Sequence, residues 1–79
     1  MLVLRIVSPE KILFTGEVEN VLVPGEVGEF EILINHAPII STLVEGRVVY
    51  TINSEKKMIM VKGGFVEVKK NVVSLCVEL

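Results

Sequence analysis

Residues 24–48 read PGEVGEFEILINHAPIISTLVEGRV, and the pattern of this stretch decides the fold. It sets three glycines, two prolines and the only histidine of the chain between runs that alternate in polarity. Within it, Glu29-Phe30-Glu31-Ile32-Leu33-Ile34 predicts a strand. Successive strand side chains point to opposite faces, so Phe30, Ile32 and Ile34 turn inward and Glu29 and Glu31 outward. Asn35-His36-Ala37-Pro38 breaks the run, because proline removes a ladder donor and fixes φ. Leu43 to Asn53 reads as one long strand with a bulge at Gly46.

The same period of two extends in both directions. Leu2, Leu4 and Ile6 form one face of a first strand, and Ser8-Pro9-Glu10 turns the chain. Lys11 to Phe14 and Glu17 to Val23 read as strands separated by a bend at Gly16, the second ending at Pro24-Gly25. After a polar loop at Asn53 to Lys56 come Lys57 to Lys62, Phe65 to Lys69 and Val72 to Val77. Many short strands with closely spaced turn signals predict an all-β sandwich or barrel. Ile32, Ile34, Val48, Val66 and Val68 are the expected core.

At 79 residues the chain supports a single domain, residues 1–79, around one modest core. Hydrophobic residues make up 51%, yet no apolar run approaches the roughly 20 residues of a membrane-spanning helix. The N-terminus enters an alternating segment directly, so an export signal is not expected. A lone cysteine, Cys76, fits a reducing compartment. The net charge of −2 gives no nucleic-acid footprint. Its distribution is uneven: no Lys or Arg occurs from Ile12 to Gly46, where Glu17, Glu19, Glu26, Glu29 and Glu31 all fall. Such an acidic edge suits a basic partner surface, or is simply a solvated strand face.

No constellation for catalysis emerges. Cys76 and His36 are the only thiol and imidazole, no aspartate occurs, and no stretch reads as an oxyanion loop. Cys76 alternates with Val73, Leu75 and Val77 on the Ser74 and Glu78 face, which predicts a partly covered packing cysteine. One His and one Cys forty residues apart match no zinc spacing. Glu26, Glu29 and Glu31 read as strand carboxylates, not a calcium loop. Gly25-Glu26-Val27-Gly28 places a carboxylate where a phosphate would lie, and Gly63-Gly64 enters a strand, so both pairs are backbone devices. His36 is expected exposed in its turn, organising the loop through a hydrogen bond. Met58 and Met60 beside Ile59 are expected to fill core, with a partner-facing patch as the alternative.

Residues 24–48, the opening IVSPEKILFTGEVENVLVPG (6–25) and Lys62-Gly63-Gly64-Phe65-Val66-Glu67-Val68 together resemble the epsilon subunit of bacterial and chloroplast F-type ATP synthases. That family's pattern is roughly PG..GEFGIL..HAPL...L..G.V followed by GGF.EV. The resemblance implies a flattened antiparallel β-sandwich of two sheets. It also implies a non-catalytic central-stalk subunit linking the gamma subunit to the polar loops of the c-ring. Such a subunit takes no cofactor, binds no nucleic acid and does not insert into the membrane. It would lie peripherally, as part of F1, on the cytoplasmic face of the bacterial inner membrane. Carried over by motif position, Glu29 faces the c-ring loops with Glu26, Glu31 and His36 on the same rim, while Ser8 and Ser41 face gamma.

Two departures are sequence-local: Glu31 stands where the family usually has glycine, and Lys62 where it often has serine. A third is larger, since family members usually continue into a pair of helices that restrain hydrolysis or bind ATP. The chain therefore reads as a short member without that region and without nucleotide binding, a trimmed chain being the alternative. A free-standing β-sandwich adaptor is the second functional class, and it differs by predicting no binding to gamma.

Overall fold

The computed structural model describes residues 1–79 as nine strands and no helix. They are β1 (Leu2–Val7), β2 (Ile12–Val18), β3 (Asn20–Gly25), β4 (Gly28–Ile32), β5 (Ile39–Leu43), β6 (Gly46–Ile52), β7 (Glu55–Val61), β8 (Gly63–Lys69) and β9 (Val72–Glu78). Hydrogen bonding runs in the order β2-β1-β9-β8-β5-β3-β6-β7, with β4 on the side of β3. Between β5 and β3 only Gly25 faces Leu43, so the path curls there into two halves. One half holds β2, β1, β9, β8 and β5; the other holds β4, β3, β6 and β7. The shortest dimension is 18 Å, which accommodates two sheets about 10 Å apart with their outward side chains.

Alternation drives the packing. Leu2, Leu4 and Ile6 of β1 and Val73, Leu75 and Val77 of β9 are buried, their neighbours less so. Val21, Val23, Ile32 and Val48 meet them from the other half in one cluster of 15 buried side chains. Every pairing is antiparallel except β1 with β9, which run parallel. That pair joins residues about seventy apart, a partnership that local alternation does not reveal.

Tight turns fix the registers. Asn53 and Ser54 adopt φ of 50° and 66°, and Lys70 and Asn71 adopt 50° and 63°. Both pairs form two-residue hairpins, between Ile52 and Glu55 and between Lys69 and Val72, where positive φ matches strand twist. Gly64, at φ 142°, carries β8 against β9. A Cβ there would sit 2.9 Å from Val77 Cα and closer still to the Cys76 carbonyl oxygen.

Four expectations are corrected. Ile34 is 52% exposed rather than buried, because edge strand β4 stops at Ile32, opposite Val21 near the start of β3. Beyond that point the chain turns through Asn35, at φ 65°, and leaves Leu33 and Ile34 uncovered. The long strand from Leu43 is two strands: Val44 donates to the Pro24 carbonyl (2.9 Å) as the chain crosses from one half to the other. Gly46 begins β6 pressed against Pro24, whose Cβ lies 2.8 Å from where a side chain would start. Gly16 is no bend: β2 runs straight through it, Phe14 lies over it, and the Phe14 ring packs on Tyr50 with centroids 4.7 Å apart. Met58 and Met60 do not fill core, being 62% and 57% exposed on the outward face of β7.

Candidate partner-binding edge

The β3–β4 hairpin gathers the acidic residues. Pro24 and Gly25 continue β3, buried, to the tip, and the two-residue loop Glu26-Val27 returns the chain at Gly28. Gly28 holds φ at 129°, a conformation suited to glycine. Glu26 therefore projects from the tip. Glu29 and Glu31 follow on the outward face of β4, one pleat apart, about 7 Å along the strand. All three are exposed.

Glu29 is already engaged. Arg47, on β6, reaches across β3 and donates from Nε to Glu29 Oε2 (2.9 Å) and from Nη2 to Oε1 (3.2 Å). This two-pronged contact is the only ion pair in the molecule, with the arginine side chain 51% and the glutamate 42% exposed. The Arg47 hydrogen bond is the main influence and lowers the Glu29 carboxyl from its ordinary value; desolvation opposes it, and the Arg47 charge adds a smaller lowering. Arg47 rises correspondingly. Sequence reading missed this partnership. Its one available signal was that Arg47 is the first basic side chain after the acidic stretch.

His36 stands apart from the hairpin tip. It follows β4, whereas Glu26 precedes it, so the five residues of β4 separate them. The histidine is half-buried, its amide bonds the Leu33 carbonyl (3.2 Å), and Nδ1 lies 2.7 Å from the Ala37 oxygen. The turn is fastened from outside: Asn71 Oδ1 accepts the Asn35 amide at 2.6 Å, and Asn71 Nδ2 donates to Asn35 Oδ1 at 3.3 Å. Two asparagines with left-handed backbones thus join this turn to the β8–β9 hairpin.

Ser8 and Ser41 are not brought together either. Ser8 closes the turn after β1, its amide (2.9 Å) and hydroxyl (3.3 Å) both reaching the Lys11 carbonyl. It borders a shallow cleft with Pro9, Phe65, Cys76 and Glu78. Ser41 lies mid-β5 opposite Val66, and in the order β1-β9-β8-β5 two strands intervene. Cys76 takes the partly covered position expected of it. No three His, Cys or Glu groups converge closely enough to hold a metal ion.

Residues 1–79 match the family model described as ATP synthase, Delta/Epsilon chain, beta-sandwich domain. The chain is 50% identical over 70 residues to the ATP synthase epsilon chain of Leptospira borgpetersenii, covering 89% of this chain and 55% of that one. It is 47% identical over 72 residues to that of Desulfitobacterium hafniense, covering 91% and 54%. It thus spans about half the length of these relatives. Among solved structures, a chain of the Euglena gracilis mitochondrial ATP synthase (OSCP/F1/c-ring) superposes with TM-score 0.91 at 20% identity, covering 96% of this chain and 49% of that one. A chain of the Tetrahymena thermophila central stalk/c-ring gives 0.86 at 16%, covering 99% and 63%. At such identities the likeness is one of fold. With the sequence profile matched from end to end and the same curled sandwich built, the chain belongs to the ATP synthase delta/epsilon family, as its beta-sandwich domain.

Proposed function

We propose that the domain is a non-catalytic rotor element in the central stalk of an F-type ATP synthase. It would link the gamma subunit to the c-ring, peripheral to the cytoplasmic face of a bacterial inner membrane, and support coupling of ion translocation to ATP synthesis. The family match over residues 1–79 carries this reading. A rotor link must transmit torque without slipping, and a broad packed contact resists shear better than isolated charges. The outward face of the β5-β8-β9-β1 half supports such a contact. Register aligns Thr42, Phe65, Cys76 and Val7 in one row leading to the cleft at Ser8. Glu26, Glu29 and Glu31 belong to the other half, on an edge suited to orienting against basic loops.

The test compares recovery of gamma with recovery of coupled membrane complex. Stoichiometric binding of gamma and restored ion-driven synthesis are expected. A chain that binds no gamma would return the reading to a free-standing adaptor.

A further inference from the structure

The acidic hairpin offers three carboxylates to a basic surface, yet one of them is already forked by the chain's own arginine. Arg47 reaches Glu29 across the intervening strand β3. The residue beside Arg47, Gly46, has no side chain and lies against Pro24, and Pro24 is the β3 residue that pairs with Glu29. Glu26 and Glu31, on the same hairpin, have no ion-pair partner. Both members of the pair are about half exposed, so each can reach solvent or a partner without moving the backbone.

We propose that Arg47 is an internal counter-ion that holds Glu29 in reserve, so that the β4 edge delivers Glu29 to a basic partner only by exchange with Arg47. Glu26 and Glu31 then provide the immediate attraction, and Glu29 adds its contact once a partner guanidinium or ammonium displaces the internal one. Arg47 thereby sets how strongly the edge holds a basic loop. It is a specificity-determining residue, since a planar fork competes well with a lysine-bearing partner and less well with an arginine-bearing one. In its application to the c-ring loops the proposal rests on the rotor reading above; in its chemistry it does not.

Two arms separate these. In the first, wild type, Arg47→Gln, Glu29→Gln and the double variant are eluted from immobilised polyarginine with a salt gradient. Arg47→Gln should bind about two- to five-fold more tightly than wild type, as expected for freeing one exposed carboxylate. That gain should vanish when Glu29→Gln is already present. An equal gain in both backgrounds would mean that Arg47 merely repels basic surfaces, and no gain would mean that Glu29 was never withheld; either overturns the proposal. Thermal unfolding confirms that each variant is folded. In the second arm the same four proteins, with gamma, are bound to F1-stripped membranes carrying the c-ring. If the polyarginine cycle behaves as expected while wild type fails to dock, the rotor reading falls and the counter-ion role stands.

Discussion

Gly64 and Gly28 both hold positive φ, yet only Gly28 has free space where a side chain would start. Gly28→Ala should therefore cost backbone strain alone, about 1 kcal/mol. Gly64→Ala drives a methyl into the β9 backbone and should cost about 3 kcal/mol, read as the difference in urea midpoints. Ile32 and Ile34 make a second contrast, one buried and one half exposed on the same run. Ile32→Ala should cost roughly 2–5 kcal/mol, whereas Ile34→Ala should stay within about 0.5 kcal/mol. Equal losses would contradict the end of β4 at Ile32. The Glu29–Arg47 pair gives a pH signature. Because the folded chain lowers the Glu29 pKa, the pair's contribution is complete above the ordinary carboxylate range and fades as pH falls through the lowered value. Arg47→Gln should raise the Glu29 midpoint in an NMR titration and slightly flatten the acid limb of stability.

Among elements, the asparagine clamp ties the turn after β4 to the β8–β9 hairpin. Asn71→Gly keeps the left-handed backbone accessible but removes both side-chain bonds, and should cost about 1 kcal/mol. Asn71→Ala removes the same bonds and strains φ, adding about 1–2 kcal/mol more. Amide exchange at Asn35 should quicken in both variants. If it quickens only in the alanine variant, the backbone of the hairpin, not the clamp, holds the turn. None of this was visible locally, because Asn35 and Asn71 are 36 residues apart and each reads as an ordinary turn residue. Their preference for turns was legible; their partnership was not.

At the scale of the whole molecule, the two halves present different surfaces. The β5-β8-β9-β1 half carries a mixed, partly apolar row, and the β4 edge carries carboxylates. Lysine at positions 26, 29 and 31 should leave gamma binding intact and strongly impair recovery of coupled membrane complex, because like charge would then face like. Position 29 carries an added penalty, since lysine there would also face Arg47 inside the chain. Collapse of gamma binding with c-ring association preserved would assign the faces the other way round. Circular dichroism of residues 1–79 should show strand and turn without a helical signature, in keeping with nine strands.

The sequence by itself determined that the chain is built of strands and, for several of them, which face is buried. Leu2-Leu4-Ile6, Val73-Leu75-Val77 and Val66-Val68 sort correctly because period-two alternation is a property of the chain in isolation. It also pointed to the family, through the resemblance carried by residues 6–48 and 62–68, and to an acidic edge. Tertiary structure alone decided where strands end and what each one faces. Ile34 is uncovered because β3, its neighbour, begins too late to pair with it. The run from Leu43 breaks because the chain must pass from one half to the other. Glu29 is paired because β3 sets β4 and β6 at the span of an arginine. Each of these depends on a strand distant in sequence, and alternation within a single strand holds no information about its neighbour.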